Sequence, residues 1–343
     1  MQAAIFLKPN EMRIEDKELR SLKPNEMLVK VATCGVCGTD IRIFEGTTHS
    51  NPPVILGHEY VGTVEDIDKE VIQFERGDRV VIDPNIVCGH CYYCQRGLVN
   101  LCENLTALGV HRDGGFAEYS IVPANQIHRL PNHVPLEWGC FIEPLSCAIR
   151  GIDLADIQLG DTVVILGAGT VGLIMIQLVK LAGSSKTIVI EPKEERRKTA
   201  SKLGVDIVVD PGETDVKSIV MENTERGADV VLECVGKPET MQLTTSLVRR
   251  GGRIIFYGVC DYDTQITIRP HEIYFKELTI RGSYVNPNTF ARALTLLSSN
   301  RINLKELKTE KFPLAKILKA FEHHRKGLAI KTLVVPKLQL ADD

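Results

Sequence analysis

Residues 162–172 read Thr-Val-Val-Ile-Leu-Gly-Ala-Gly-Thr-Val-Gly, an apolar run that leads directly into the spacing G-x-G-x-x-G. In this motif the first glycine permits a tight turn, the second lets the backbone approach a pyrophosphate, and the third lets a helix pack closely on a strand. The same three glycines also occur in tight turns that bind nothing. In this context, between an apolar strand and a helical stretch, they predict the phosphate-binding loop of a dinucleotide-binding domain.

The next strand supports this interpretation because it ends at an acidic residue. Glu191 stands 19 residues after Gly172, where a carboxylate can accept hydrogen bonds from the adenosine ribose hydroxyls. A carboxylate there would repel the 2′-phosphate of NADP, so the sequence favours NAD over NADP. Lys193, Arg196 and Arg197 lie close enough in the chain to weaken that repulsion.

Short apolar strands alternate with helical stretches from Asp161 to Tyr284, which predicts a doubly wound parallel sheet in an α/β protein. We predict strands at Thr162–Leu166, Thr187–Ile190, Ile207–Val209, Asp229–Leu232, Arg253–Tyr257 and Leu278–Ile280. We predict helices at Val171–Leu181, Glu194–Leu203, Val216–Asn223 and Glu239–Val248.

The rest of the chain has a different pattern. Before residue 150, short Val-rich runs are broken by Gly and Pro turns, which predicts a small, mostly β domain. The stretch after Tyr284 is too short for an independent core, so we expect it to fold back onto that first domain. The predicted boundaries are 1–149 with a cysteine-rich lobe at 84–105, then 150–284, and 285–343 as the return segment.

Composition excludes several classes of function. The 343 residues carry 41 Lys and Arg against 44 Asp and Glu, so no basic excess favours nucleic acid or an anionic membrane surface. No apolar run is long enough to span a bilayer, and no secretory signal is recognisable. Ten cysteines in a chain too large to need disulfides are typical of a reducing compartment, so we expect a cytoplasmic location.

Four cysteines follow the spacing C-x2-C-x2-C-x7-C, at Cys88, Cys91, Cys94 and Cys102. Four thiolates on one looped segment suffice for a closed tetrahedral zinc site, which is structural because no position stays open. An iron–sulfur cluster or an unmetallated loop fits less well, since Glu103 stands where the iron–sulfur pattern usually has Pro. A zinc ribbon for nucleic acid is disfavoured because Arg96 is the one basic residue in the cluster.

A second set of candidate ligands lies in the first domain. Cys37 precedes His58 and Glu59 by about 20 residues, and sulfur, imidazole and carboxylate are the ligands of catalytic zinc, which keeps one position for water or substrate. If this segment is extended, the side chains of His58 and Glu59 point to opposite faces. Glu59 would then be an indirect or exchangeable ligand, and Glu143, held extended by Pro144, is a further candidate.

Several motifs stand in one order along the chain: Gly35-Val36-Cys37-Gly38-Thr39-Asp40, Gly57-His58-Glu59, the four-cysteine segment, Gly114-Gly115-Phe116-Ala117-Glu118-Tyr119, Glu143-Pro144-Leu145 and Gly167–Gly172. On these motifs the sequence resembles the zinc-dependent medium-chain dehydrogenases, in the branch of polyol (sorbitol) and threonine dehydrogenases. The resemblance covers essentially the whole chain. It implies a GroES-like, mostly β catalytic domain joined to a Rossmann nucleotide-binding domain.

The resemblance also implies two zinc ions per chain, NAD as cofactor and a homo-oligomer, most often a tetramer and sometimes a dimer. The implied ligands are Cys37, His58, Glu59 and Glu143 for catalytic zinc, the last directly or through water, and the four clustered cysteines for structural zinc. The implied cofactor contacts are Gly167, Gly169, Thr170, Val171, Gly172, Glu191, Arg196, Val235, Gly258, Val259, Ser283 and Tyr284.

The implied activity is hydride transfer from a secondary alcohol, in the first place a polyol, to NAD, with Thr39 accepting the hydroxyl proton. Five residues after Cys37, many relatives carry a His that passes this proton to solvent, but Arg42 stands here and cannot act as a base. Ile43, Val285 and Asn286 also depart from the sorbitol enzymes. A threonine or simple-alcohol dehydrogenase is therefore an alternative, and a non-catalytic dinucleotide-binding protein on the same scaffold is another.

Overall fold

The computed structural model describes residues 1–336 and divides into two units. Unit 1 comprises residues 1–143 and 290–299 and resumes at residue 308, and unit 2 comprises residues 144–289 and 300–307. The first boundary falls six residues before the predicted one, and the second falls five residues after it. Residues 300–307 belong to unit 2, although the sequence assigned them to the first domain. The end of the predicted return segment, 337–343, lies outside the described residues.

Eighteen strands are described: β1 (Gln2–Lys8), β2 (Glu11–Asp16), β3 (Glu26–Gly35), β4 (Val54–Ile55), β5 (Glu59–Ile67), β6 (Arg79–Ile82), β7 (Asn85–Ile86), β8 (Thr106–Ala107), β9 (Tyr119–Pro123), β10 (Ile127–Arg129), β11 (Thr162–Leu166), β12 (Lys186–Ile190), β13 (Ile207–Val209), β14 (Ala228–Glu233), β15 (Val248–Phe256), β16 (Thr279–Gly282), β17 (Thr309–Pro313) and β18 (Lys331–Val335). Nine α-helices accompany them: α1 (Gly38–Glu45), α2 (Ile142–Ala155), α3 (Thr170–Leu181), α4 (Glu194–Lys202), α5 (Val216–Thr224), α6 (Pro238–Leu247), α7 (Pro270–Lys276), α8 (Phe290–Ser298) and α9 (Ile317–Lys326). Among these helices, none is both long and apolar enough to cross a membrane.

Unit 1 is built around a seven-stranded sheet. Its strand order is β10-β6-β5-β3-β18-β17, with β9 also paired to β3. β18 pairs antiparallel with β3, so the described C-terminal strand adds to the sheet that the N-terminal part of the chain begins. β17 and β18 therefore belong to the same sheet as β3. The large side chains of the unit 1 core pack around Tyr60, Phe116 and Met27.

Unit 2 contains a six-stranded parallel sheet in the order β13-β12-β11-β14-β15-β16. This is the strand order of a doubly wound dinucleotide-binding fold. Successive strands are added on one side of the first strand, here β11, and then on its other side. All six predicted strands and all four predicted helices of this region occur. β15 begins at Val248, five residues before its predicted start, because the strand continues through Gly251 and Gly252 with an irregular register against β14.

Candidate metal and cofactor sites

The end of β3 and the start of α1 place Cys37. Cys37 is the residue before the first turn of α1 and has extended backbone angles, φ −108° and ψ 156°. Its N–H donates to Oδ2 of Asp40, at 2.8 Å, and this contact closes the first turn of the helix. Asp40 is completely buried. A buried carboxylate therefore fixes the backbone that carries the thiol.

His58 and Glu59 come from the start of β5. Gly57, with φ 92°, turns the chain immediately before them, and a Cβ at this position would overlap Cys34 Sγ and the ring of Phe116. The regular alternation of a strand therefore does not extend back to His58. One donor atom each from Cys37, His58 and Glu59 lies within 4.8 Å of the others. The opposite orientation of His58 and Glu59, expected if this segment were extended, therefore does not apply here.

A buried acid also lies beside His58. His58 Nδ1 lies 3.4 Å from Asp40 Oδ1, which leaves Nε2 as the nitrogen available to a metal ion. Burial alone would lower the pKa of His58, but the negative charges of Asp40 and Cys37 outweigh it and raise this pKa well above its usual value. The pocket thus stabilises positive charge at this point.

Glu59 forms a buried ion pair with Lys331. The Lys331 ammonium donates to Glu59 Oε2, and each of the two side chains is only 2% exposed. Glu59 Oε2 thus has a cation beside it before any metal binds. Burial alone would lower the pKa of Lys331, but Glu59 and then Cys37 raise it.

Two predicted catalytic residues lie outside this trio of donor atoms. Thr39 is half-buried in the first turn of α1, two residues after Cys37. Glu143 is buried but is not among the converging metal donors found in residues 1–336. It is helical rather than extended, because Pro144 lies in the first turn of α2, where the missing N–H of proline removes no helical bond.

The chemistry of the trio fits a zinc ion. A thiolate, an imidazole and a carboxylate are the ligand types of catalytic zinc sites, and three protein ligands leave a position for water or substrate. Asp40 supplies the outer carboxylate that orients a zinc-binding imidazole in such sites. These residues could therefore hold a catalytic zinc ion.

The predicted structural site is assembled from a compact lobe. The Sγ atoms of Cys88, Cys91, Cys94 and Cys102 lie within 4.8 Å of one another. The N–H groups of Cys88 and Asn104 both donate to Cys102 Sγ, at 3.3 Å. The backbone of His90 lowers the pKa of Cys88 to about 6, whereas burial raises the pKa of Cys94 to about 12. Four thiolates this close together would repel one another, so they cannot all ionise without a cation. A zinc ion bound by all four would neutralise that repulsion.

In unit 2 the glycine-rich loop has the predicted geometry. Gly167 has φ 93°, and Gly169 precedes α3, which begins at Thr170 and continues through Val171. A Cβ on Gly172 would overlap the carbonyl oxygen of Gly167, so α3 can approach β11 only without a side chain there. A Cβ on Gly169 would meet nothing nearer than Arg196 Nη1 at 3.7 Å. The space beside Gly169 fits a pyrophosphate that approaches the backbone.

Glu191 lies at the end of β12 as predicted. Its Oε2 accepts from the N–H of Ala168, at 2.7 Å, and its Oε1 accepts from the N–H of Lys193, at 2.9 Å. The carboxylate is therefore fixed against the loop. Arg196 Nη1 lies 4.0 Å from Glu191 Oε2, and its Nε is buried without a hydrogen-bond partner within residues 1–336. An acid and a base thus flank the place where a ribose would bind.

The remaining predicted cofactor residues follow the ends of β14, β15 and β16. Val235 lies beside Gly167, because a Cβ on that glycine would lie 2.7 Å from Val235 Cγ2. The fully buried carboxylate of Glu233 accepts from the N–H groups of Val235 and Gly236, each at 2.9 Å. The other predicted contacts, which lie after the last two strands of the sheet, are Gly258, Val259, Ser283 and Tyr284.

Sequence reasoning missed three residues of these sites: Asp40, Glu233 and Lys331. Asp40 ends the motif Gly35–Asp40, and its position three residues after Cys37 is a helix-capping signal. Glu233 ends an apolar strand, as Glu191 does. Lys331 carries no local signal, since its partner Glu59 is 272 residues away.

Comparison with known proteins covers both units. A family model for the alcohol dehydrogenase GroES-like domain matches residues 23–132, and one for zinc-binding dehydrogenase matches residues 170–299. L-threonine 3-dehydrogenase from Pyrococcus horikoshii is 38% identical over 323 residues, 92% of each protein. Sorbitol dehydrogenase from Halalkalibacterium halodurans is 34% identical over 94% of this chain and 95% of that protein.

Among solved structures, a zinc-binding dehydrogenase from Sinorhizobium meliloti 1021 bound to NADP superposes with a TM-score of 0.93. It is 36% identical in sequence and covers 98% of this chain and 99% of its own. The GroES-like and nucleotide-binding architecture expected from the sequence is thereby confirmed.

Proposed function

Because this chain belongs to the zinc-dependent medium-chain dehydrogenase family, we propose that it oxidises a secondary alcohol, most readily a sugar alcohol, to a ketone or ketose and reduces NAD. The observation that carries the proposal is the convergence of Cys37, His58 and Glu59 within 4.8 Å. The relatives are dehydrogenases and the candidate ligands are all present, so the non-catalytic alternative is set aside.

The residues of unit 1 would divide the chemistry as follows. Zinc held by Cys37, His58 and Glu59 would supply a Lewis acid that lowers the pKa of the alcohol. Asp40 keeps the thiol and the imidazole in position through the contacts described above. Thr39 would accept the hydroxyl proton and pass it to water, because Arg42 stays protonated. Glu143 remains a candidate further ligand, directly or through water.

For the cofactor we propose NAD ahead of NADP. Glu191 is 3% exposed and fixed by two backbone N–H groups, so it cannot easily turn away from a 2′-phosphate. Arg196 is the opposing consideration, and the Sinorhizobium relative is bound to NADP. Comparing kcat/KM for the two cofactors tests the choice, and an equal or higher value for NADP would refute it.

The substrate test is a panel of pentitols, hexitols, inositol, L-threonine and short secondary alcohols, assayed by cofactor reduction before and after chelation of metal. Activity on a polyol that chelation removes is the expected result. L-threonine is the second candidate, because a threonine dehydrogenase is 38% identical to this chain. If protein that holds two zinc ions reduces no cofactor with any of these compounds, the proposed substrate class is wrong.

We also propose a homo-oligomer, a tetramer or otherwise a dimer, in the cytoplasm. Exposed apolar side chains lie in the segment that precedes the edge strand β16, which supports association: Tyr262, Tyr274 and Phe275. A chain of 343 residues does not need disulfides for its stability, so its ten cysteines favour a reducing compartment. Native mass measurement distinguishes a tetramer, a dimer and a monomer.

A further inference from the structure

Three adjacent strands bring Glu59 and Lys331 together. Gly35 on β3 is paired with Glu59 on β5 on one side and with Leu333 on β18 on the other. Lys331 lies two residues before Leu333 and therefore on the same face of β18. The carboxylate and the ammonium reach each other over the central strand, at the one position of that strand where no side chain intervenes.

Gly35 is what makes this contact possible. A Cβ at this position would overlap Glu59 Oε2 and would lie 2.6 Å from Lys331 Cε. The φ angle of Gly35 lies outside the positive range that favours glycine, so its absent side chain serves space and not backbone conformation. The ion pair thus occupies a volume that the sheet leaves open for it.

The charges around Lys331 show what it does there. Cys140, also buried beside it, has its pKa raised to about 12 by burial and stays a neutral thiol, which donates to the carbonyl of Thr33 at 3.4 Å. Burial would lower the pKa of Lys331, but Glu59 and then Cys37 raise it, so the ammonium stays charged although it is buried. Lys331 is therefore a fixed positive charge next to two proposed ligands of a divalent cation.

We infer that Lys331 is a positioning residue of the metal site, whose ammonium holds Glu59 and keeps that carboxylate a weak, displaceable ligand beside Cys37 and His58. The inference rests on the proposed function, which places a metal at these residues. The ammonium holds Oε2 of Glu59 and draws the charge of the carboxylate toward itself, so Glu59 binds a metal ion more weakly than an unpaired carboxylate would. The positive charge of Lys331 also repels the metal ion directly.

This role predicts that removal of Lys331 changes metal affinity in the opposite direction to removal of a residue that merely orients a ligand. Loss of an outer partner that merely orients a ligand weakens metal binding, typically by about 10–100-fold. Loss of Lys331 should instead tighten metal binding, because the positive charge that weakens Glu59 as a ligand and repels the metal ion disappears. The metal-free protein should become less stable, since Glu59 is left as an unpaired buried carboxylate.

The test uses Co²⁺ as the probe on the full chain, with the site identified by the visible absorption that Cys37→Ser removes. We expect Lys331→Met to raise Co²⁺ affinity at this site by about tenfold, the lower end of the range for such partners. The ligand-field absorption bands of Co²⁺ bound to this variant should also shift, because Glu59 then stays bound to the metal ion. Lys331→Arg should retain wild-type affinity and bands. The control is Lys30→Met, an exposed lysine of β3.

Lys331→Gln keeps the experiment decisive if metal-free Lys331→Met does not fold, because an amide can still donate to Glu59 but carries no charge. A smaller gain in affinity of the same sign is expected. Unchanged or weaker Co²⁺ binding in both variants, with unshifted bands, would overturn the role of Lys331 and leave the proposed function intact. No Cys37-dependent absorption in the wild type would overturn both.

Discussion

Cys37 is the residue on which the proposed chemistry depends most directly, because its thiolate is one of three converging donors. Cys37→Ser should reduce kcat by at least about 1000-fold, since the hydroxyl is a poor zinc ligand. Binding of NADH should persist, because the glycine-rich loop belongs to unit 2. Steady-state rates and NADH fluorescence titration measure the two quantities.

The matched control is Cys260→Ser, a partly exposed cysteine of unit 2. It should retain wild-type turnover. Turnover near the wild-type value in Cys37→Ser protein would contradict the assignment of the metal site.

His58 makes metal uptake depend on pH. Its pKa in the metal-free protein is raised, and a protonated imidazole cannot bind zinc, so zinc affinity should fall as the pH is lowered through that raised pKa. Asp40→Asn removes a negative charge, lowers this pKa, and should move the fall in affinity to lower pH. Zinc titration of metal-free protein at several pH values measures the shift. An unmoved pH profile would argue against the pairing of Asp40 with His58.

At the residue scale, the sequence can identify groups by their chemistry but not their distant partners. The four clustered cysteines are recognisable because thiols at short spacing are distinctive ligands, and Cys37 and His58, about 20 residues apart, because sulfur and imidazole are ligand types of catalytic zinc. Lys331 is not, since an isolated lysine usually lies on a solvated surface and only the pairing of β18 with β3 brings it to the site.

Among the elements, the four-cysteine lobe has little else to hold it. It consists of β7, β8 and two single turns of 3₁₀ helix at Cys94–Arg96 and Val99–Leu101. Cys94→Ser should remove one zinc ion and lower the free energy of unfolding by about 3 kcal/mol, a loss of about 10 °C in melting temperature. Thermal unfolding with metal analysis measures both.

Ser50→Ala, a change outside the lobe in unit 1, serves as its control and should retain both zinc ions. A Cys94→Ser protein that keeps two zinc ions per chain and its melting temperature would show that the cluster does not bind metal.

Two glycines of the loop should respond differently to the same substitution. Gly172→Ala introduces a Cβ that overlaps the Gly167 carbonyl, so both stability and cofactor affinity should fall. Gly169→Ala has space in the protein, so stability should hold while NAD affinity falls by about tenfold, because the methyl group occupies the approach of the pyrophosphate. Unfolding curves and NADH titration separate the two. Unchanged affinity in Gly169→Ala would contradict the placement of the cofactor.

The bounds of helices and strands were predictable where apolar residues recur regularly along the chain. They were less predictable where a single residue such as proline governs the backbone. The strands and helices of unit 2 follow the sequence closely because buried parallel strands are continuous apolar runs. Pro144 was misread as enforcing an extended Glu143, although proline in a first helical turn is tolerated. Helices α1, α2 and α7 were not predicted. α1 and α7 are short and α7 exposes all or part of every residue, whereas the start of α2 was hidden by the misreading of Pro144.

At the scale of the whole molecule, metal content reports on both predicted sites together. Purified protein should contain two zinc ions per chain, and exhaustive chelation should abolish turnover. Readdition of zinc should restore it, because the catalytic ligands lie on separate strands and helices of one folded unit. Elemental analysis with parallel rate assays checks this. One zinc ion per chain in fully active protein would refute the two-site arrangement.

The domain organisation was predictable in outline. Alternation of strand and helix marks unit 2, and the shortness of the tail predicts its return to unit 1. The assignment of residues 300–307 to unit 2 could not be predicted, because it depends on a few contacts, such as the hydrogen bond from the Asn303 N–H to Gln177 Oε1. Such contacts leave no periodic signal in the sequence.

The position of β18 also bears on the order in which a growing polypeptide acquires its metal. At about 10 residues per second, the ribosome takes on the order of half a minute to translate the 272 residues from Glu59 to Lys331. During that time Cys37, His58 and Glu59 exist without their competing ammonium. On the proposed role of Lys331, a metal site that folds before β18 is made would bind zinc more tightly than the completed site, so zinc would load on the ribosome and exchange more readily after release.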